Sequence, residues 1–113
     1  MKQRLSVVTL GVENPARAVA FYAALGWQQI GESGGNAPTL FKIGAGLLLA
    51  LYPWTLLAKD ATLSPESEGF RGITLAQNLA SPEEVDAAMA DAAAAGATIL
   101  KLAAPTFWGG YGG

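Results

Sequence analysis

The chain has 113 residues, of which 51% are hydrophobic and only 14% are charged, and its formal net charge is −2. The absence of cysteine and histidine excludes disulfides, thiolate zinc sites and the side chain that most often acts as a general base at neutral pH. The few basic residues form no cluster, so we expect no nucleic-acid partner. Such a high apolar content in a short chain predicts a surface covered by a second subunit, and hence a homodimer.

The sequence predicts neither a secretory signal nor a membrane span. Lys2 and Arg4 are followed by only a short apolar stretch, which Glu13, Asn14 and Pro15 interrupt. The longest apolar run, residues 45–58, contains a proline and is shorter than the roughly 18–20 residues that a spanning helix needs. We therefore expect a cytoplasmic protein without a membrane partner.

The first elements are a strand and a helix. The segment "RLSVVTLGV" is apolar and β-branched, as is typical of a strand. Asn14 is a favourable N-cap, Pro15 suits the first helical position, and Gly26 stands where a glycine often ends a helix. Apolar residues between them recur with helical spacing, at Ala18, Phe21, Tyr22 and Leu25.

Three short apolar segments follow this helix. "WQQIGE", "TLFKI" and "LLLALY" are separated by segments rich in glycine, which predicts three strands joined as hairpins. The run "LLLAL" is apolar at every position, so we expect it to be buried on both faces of a sheet.

The same theme then begins again. Residues 54–69 mix proline, serine and acidic residues and are interpreted as a connection, after which "FRGITLAQNL" predicts a strand. Ser81 and Glu84 form a capping box for a second helix that Gly96 ends. "ATILKLA" predicts the next strand, and "PTFWGGYGG" predicts the start of a hairpin whose remaining strands do not follow. The edge of "ATILKL" would then be unpaired, which also favours a dimer.

The doubled pattern, with "NPARAVAFYAALGW" after the first strand and "TFWGGY" near the end, resembles the vicinal oxygen chelate superfamily of glyoxalase I, extradiol dioxygenases and bleomycin-resistance proteins. The resemblance implies an α+β fold of two βαβββ-type modules that form a half-open barrel, with the second module truncated at the C-terminus. Residues 1–113 would be a single glyoxalase-like domain. Module one would span residues 4–53, the connection 54–69, and the incomplete module two 70–113.

The resemblance also implies where metal ligands would stand, on the first and last strands of each module. Here the corresponding positions carry Val7, Leu49, and Gly72 or Thr74, none of which is a usual ligand for a catalytic divalent ion. We therefore predict no metal, no cofactor and no catalytic residue, and the sequence leaves open whether the protein is an enzyme.

Strand alternation within this fold predicts a cleft lining. Its candidate residues include two threonines and an aromatic rim: Val7, Thr9, Leu49, Leu51, Tyr52, Trp54, Thr74, Phe107 and Trp108. Either the interior is packed without a ligand, or it forms a pocket for an apolar or aromatic small molecule. The aromatic residues either surround the cleft mouth or cover a core or subunit interface.

Three functional hypotheses follow from these residues. The first is a metal-free small-molecule binding protein of the glyoxalase/bleomycin-resistance type. The second is a glyoxalase-like lyase or isomerase, or a dioxygenase relative, whose catalytic residues lie on C-terminal strands absent from this sequence. The third is a purely structural member of the superfamily.

Overall fold

The computed structural model describes residues 2–32, 36–66, 69, 71, 73 and 75–113. The chain falls into two compact units, Met1–Glu68 and Gly69–Gly113, and each is described by itself. The first unit contains β1 (Val7–Val12), α1 (Pro15–Ala24), β2 (Gln29–Ile30), β3 (Thr39–Lys42), β4 (Leu48–Pro53) and α2 (Trp54–Asp60). The second contains α3 (Pro82–Ala94), β5 (Ala104–Pro105) and β6 (Tyr111–Gly112).

The first unit is built on a mixed four-stranded sheet in the order β1-β4-β3-β2. β1 runs parallel to β4, whereas β4 and β3, and β3 and β2, are antiparallel. The three strands predicted after the first helix are therefore confirmed, as is their hairpin succession. The α+β class is also confirmed, with three helices in the part of the chain that the structure describes.

Helix α1 begins and ends as its sequence predicts. The side chain of Asn14 accepts a hydrogen bond from the Arg17 backbone N–H at 3.1 Å, and Pro15 is the first helical residue. Gly26 has a φ of +84°, where a side chain would be strained. The Gly26 N–H donates a hydrogen bond to the Ala23 carbonyl, and the Trp27 N–H donates one to the Tyr22 carbonyl. This pair of hydrogen bonds is the Schellman motif.

The core lies between α1 and one face of the sheet. Phe41, Leu49 and Leu51 are at most 1% exposed. Tyr22 on α1 packs its ring 5.8 Å from that of Phe41 and 5.0 Å from that of Trp27. Other partly buried side chains complete this helix-covered face: Val8, Leu10, Val12, Ala18, Val19 and Ile43. Ala50 is only 2% exposed, so the burial predicted for both faces of "LLLAL" is confirmed at Ala50, whereas Leu47 and Leu48 are only partly buried.

The register of β1 against β4 corrects the predicted cleft lining. Val8 stands opposite Leu49, and Leu10 stands opposite Leu51. Val7 and Thr9 alternate with these residues and therefore point to the other side of the sheet. The prediction that they share a face with Leu49 and Leu51 is wrong, because every residue of "LLLAL" is apolar and the sequence carries no signal for its facing.

The segment after β4 is a helix, and its interpretation as an irregular connection is wrong for residues 54–60. Pro53 ends the strand and directly precedes the helix, with no side-chain cap. Leu56, Leu57, Ala58 and Lys59 follow, all of which favour helix or tolerate it. α2 packs against β1 and β4.

Helix α3 of the second unit has the predicted caps, with one difference. Ser81 Oγ accepts from the Glu84 N–H at 3.2 Å. The Glu84 carboxylate accepts from the Ala80 N–H at 2.9 Å, one residue before the partner that a standard capping box uses. Gly96, at φ +106°, follows the helix as predicted. No helix in the described part of the chain has the length and apolar character needed to cross a membrane.

The strands predicted in the second unit are only partly present. Described residues 97–103 form no strand, so that prediction is wrong, and Leu100 is 94% exposed there. Residues 71, 73 and 75–79 of the predicted strand "FRGITLAQNL" also form none, while residues 70, 72 and 74 lie outside the described residues. The predicted terminal hairpin is present, since β5 pairs with β6 in antiparallel orientation.

Leu49 provides a stability test of this core. We expect Leu49→Ala to lower the free energy of unfolding by about 2–5 kcal/mol, because it leaves a cavity beside Phe41 and Leu51. Leu5→Ala is the matched control, since Leu5 is 72% exposed and the change should stay within about 0.5 kcal/mol. Urea denaturation measures both. A similar loss in the two variants would contradict the assigned core.

Candidate functional site

The side of the sheet opposite α1 is the candidate site, and we call it the open face. The register places there alternate residues of β1, β3 and β4: Val7, Thr9, Gly11, Leu40, Lys42, Leu48, Ala50 and Tyr52. Val7 is 45% exposed and Thr9 is exposed, whereas Leu40, Leu48 and Tyr52 are partly buried. The open face is thus mainly apolar, with two hydroxyl groups and one lysine on the β3 strand.

Helix α2 covers one end of the open face, and a glycine makes this approach possible. A Cβ atom at Gly11 would lie 2.7 Å from Trp54 Cε3 and 3.1 Å from Leu57 Cδ2, closer than packed carbon atoms approach. Gly11 stands opposite Tyr52 in the sheet. The structure therefore brings two predicted site residues, Tyr52 and Trp54, to the same end of the face that carries Val7 and Thr9.

The other predicted site residues lie elsewhere. Leu49 and Leu51 belong to the helix-covered face and have almost no exposed surface. Thr74 lies outside the described residues. Phe107 and Trp108 occupy the turn between β5 and β6 in the second unit, where Phe107 is fully exposed and Trp108 is 69% exposed.

Sequence reasoning missed the apolar residues that share the open face with Val7, namely Leu40, Leu48 and Ala50. Alternation predicts which residues of one strand share a face, but it does not predict which residues of two neighbouring strands stand opposite each other. That register follows from the parallel pairing of β1 with β4, for which the sequence has no local signal.

The hairpin of the second unit holds its aromatic residues on a tight turn. Thr106 donates its N–H to the Gly110 carbonyl at 2.8 Å, and its hydroxyl accepts from the Gly110 N–H at 2.8 Å. The Trp108 ring lies so close to Gly110 that a Cβ atom there would collide with it. This turn presents Phe107 to solvent.

A hydrogen bond joins this hairpin to α3. The Tyr111 hydroxyl donates to Asp86 Oδ1 at 2.7 Å. This bond is the main reason that the pKa of Tyr111 is raised above its ordinary value, with desolvation and the negative charges of Asp86 and Glu83 acting in the same direction. In the first unit, burial raises the pKa of Tyr22. Both tyrosines are therefore neutral hydrogen-bonding groups at physiological pH.

The aliphatic side chains of the open face offer no ligand for a metal ion. Val7, Leu48 and Ala50 offer no donor atom, and the chain has no histidine or cysteine. In the described part of the chain, no three acidic side chains come together in a group that could hold a metal ion. The ligand position assigned to Leu49 from the resemblance also needs correction, since Leu48 is the residue opposite Val7.

Comparison with known proteins identifies the family. The sequence model of the Glyoxalase/Bleomycin resistance protein/Dioxygenase superfamily matches residues 4–113. The chain belongs to this superfamily. The resemblance drawn from "NPARAVAFYAALGW" and "TFWGGY" is thereby confirmed. No curated protein matches the chain.

Solved structures agree with this assignment. A glyoxalase-related enzyme from Fulvimarina pelagi superposes with a TM-score of 0.84 at 24% identity, over 97% of this chain and 77% of that protein. A glyoxalase/bleomycin resistance protein/dioxygenase family enzyme from Burkholderia phytofirmans PsJN gives 0.76 at 25% identity, over 94% and 84%. A protein of the same description from Nocardioides gives 0.72 at 25% identity, over 96% and 72%. These glyoxalase-superfamily proteins share the fold of this chain.

Gly11 tests the contact between α2 and the open face. We expect Gly11→Ala to lower the free energy of unfolding by about 1–3 kcal/mol, because the added methyl group overpacks the contact with Trp54 and Leu57. Gly112→Ala is the control, since a Cβ there meets no atom within 4 Å. Thermal and urea unfolding measure both. Equal stability of the two variants would show that α2 does not rest on this glycine.

Proposed function

We propose that this glyoxalase-superfamily protein binds a small apolar or aromatic molecule on the open face, without a metal ion or another cofactor. The observation that carries the proposal is the composition of that face. Leu48 stands beside Val7, and Leu40 lies on the same face two strands away; both are only partly buried, and they supply apolar contact area but no charge. Pockets for small molecules are typically lined in this way, with a few polar groups that orient the ligand.

Each residue has a role in this proposal. Val7 and Leu48 contact the apolar body of the ligand, and the Thr9 and Tyr52 hydroxyls are available to its polar group. Trp54, at the end covered by α2, offers an aromatic surface against which a flat ring could pack. Binding of this kind needs no proton transfer and no Lewis acid.

A reaction is a less favourable interpretation. Lyases, isomerases and dioxygenases need a titratable group or a metal ion where bonds change, and the open face contributes only Lys42 among charged side chains. The solved relatives from Burkholderia phytofirmans and Nocardioides carry the word dioxygenase in their names. At 25% identity, that description supports the superfamily and fold more strongly than the chemistry.

A thermal-shift screen of uncharged aromatic compounds, with and without divalent cations, tests the proposal. A ligand of the folded state raises the melting temperature in proportion to its occupancy, and we expect this rise without added metal. Isothermal titration with Zn²⁺, Ni²⁺, Mn²⁺ and Fe²⁺ should find no stoichiometric site tighter than about micromolar, or about −8 kcal/mol.

Paired variants then locate any ligand found in the screen. Val7→Asp introduces a charge on the open face and should weaken binding at least about tenfold. Ala20→Asp adds the same charge to an exposed position of α1, on the other side of the sheet, and should leave binding unchanged. One clean metal site, or a ligand insensitive to Val7→Asp, would overturn the proposal.

We also propose that the protein is a cytoplasmic homodimer. The support is a set of large apolar side chains with high exposure in the second unit, namely Leu100, Leu102, Phe107 and Trp108. Among the described strands of the first unit, β1 lies at the edge of the sheet. A second copy of the same chain would remove such surfaces from water symmetrically.

Light scattering after size-exclusion chromatography tests the dimer. We expect twice the chain mass of 11.6 kDa at micromolar concentration. Leu100→Lys with Leu102→Lys should shift the population to the monomer, because a lysine pair would be desolvated at the interface. Gln3→Lys with Ala20→Lys is the matched control, because both positions are exposed. A wild-type monomer at tens of micromolar concentration would exclude the proposed dimer.

A further inference from the structure

The turn after α2 differs from the turns that end the other helices. All three helices close with paired hydrogen bonds of the Schellman type. After α2, the Thr62 N–H donates to the Lys59 carbonyl at 3.0 Å, and the Leu63 N–H donates to the Ala58 carbonyl at 2.9 Å. Helices α1 and α3 place Gly26 and Gly96 at the left-handed position of the motif.

At that position α2 has Thr62, with a φ of +58°, the only non-glycine residue at positive φ among the described residues. A β-branched side chain is strained in this conformation, and such strain persists only where surrounding contacts hold it. One of these contacts is the hydrogen bond from the Trp54 indole N–H to the Pro65 carbonyl. The chain after α2 is therefore folded back along the helix and held at two places.

This return of the chain forms a groove of about 190 Å³. Its walls come from one side of α2 and from the segment that follows the turn: Trp54, Leu57, Ala58, Ala61, Leu63 and Ser64. Leu63 is 70% exposed, although the hydrogen bond of its own N–H holds its backbone beside Ala58. An apolar side chain kept in water by a strained turn has surface available for a ligand.

The lining limits the chemistry of that ligand. None of the described residues that line the groove is charged, which disfavours ions because a buried charge needs a partner. The Trp54 indole N–H is already used by Pro65. Ser64 Oγ accepts from the Glu66 N–H at 3.3 Å, and its own proton can still be donated. One hydrogen-bond acceptor on the ligand can therefore be satisfied.

The size of the groove limits the ligand further. An apolar cavity of about 150 Å³ holds one benzene molecule, whereas pockets for drug-sized ligands measure about 300–1,000 Å³. The groove lies just above the first value. Its aromatic wall, Trp54, suits a flat partner in offset or edge-to-face contact.

We infer that this groove is a second binding site, separate from the open face, for one uncharged single-ring aromatic molecule with at most one hydrogen-bond acceptor. The acceptor lies at Ser64, the ring packs on Trp54 and Leu57, and Leu63 covers it. The proposed binding on the open face is not required for this site. Trp54 also borders that face through Gly11, so the two sites share one wall.

Titration with benzaldehyde, followed by two-dimensional ¹H–¹⁵N NMR of the full chain, tests the site. We expect saturable shifts of the Trp54 indole N–H and of the Ala58, Ala61 and Ser64 amides. Benzoate, which has the same ring and a negative charge, should bind at least about tenfold more weakly. Ser64→Ala should weaken the binding of benzaldehyde. It should leave the binding of toluene unchanged, because toluene has no hydrogen-bond acceptor.

Ala61→Leu fills the groove and should lower the affinity for benzaldehyde at least about tenfold. Ala23→Leu makes the same change at an exposed position of α1 and should have no effect. If Ala61→Leu does not fold, Ala58→Leu fills the groove from the helix and replaces it. Absence of saturable shifts at the groove, or equal affinity of filled and control variants, would overturn the inference. Shifts confined to Val7, Thr9 and Leu40 would also overturn it, while supporting binding on the open face.

Discussion

The parallel pairing of β1 with β4 is the constraint on which the rest of the first unit depends. It pairs β1, the first of the four strands in the sequence, with β4, the last of them in the sequence. β1 therefore lies at an edge of the sheet and β4 lies in its interior. It also sets the offset that directs Val8 and Leu10 towards α1, together with Leu49 and Leu51. A shift of one residue would exchange the two faces of β1. The core and the candidate site are thus two consequences of one register.

The contact at Gly11 shows how local and tertiary effects combine. Gly11 does not stabilise β1 itself, because a glycine inside a strand lowers the stability of that strand. The gain is close packing with α2, whose Trp54 and Leu57 occupy the space that a side chain would take. The same helix borders the groove on its other side. One seven-residue helix therefore limits the open face and builds a separate apolar surface.

The superfamily supports several chemistries on one fold, so membership by itself assigns none of them to this chain. Its open face combines aliphatic residues with the hydroxyls of Thr9 and Tyr52. A hydroxyl group can both donate and accept a hydrogen bond with a ligand. This composition supports our proposal that the open face recognises an uncharged molecule.

The sequence by itself determined the features that depend on neighbouring residues. Asn14, Ser81, Gly26 and Gly96 set the ends of α1 and α3, because a helix cap is a hydrogen bond or a backbone angle within a few positions. The hairpin strands after α1, the terminal hairpin and the superfamily were readable for the same reason, since turn residues and short motifs are local. α2 was missed although its composition favours a helix, because proline, serine and acids dominate the segment around it.

Only the tertiary structure decided which face of each strand holds the site. Leu49 and Leu51 looked equivalent to Leu48 and Ala50 in the sequence, because all four are apolar and all lie in one continuous run. Their separation into core and open face follows from hydrogen bonds to β1, about 40 residues away along the chain. The same limit applies to "ATILKL", which has strand composition but forms no strand. A β-prone segment becomes a strand only when a distant partner supplies its hydrogen bonds, and that partner is a property of the fold.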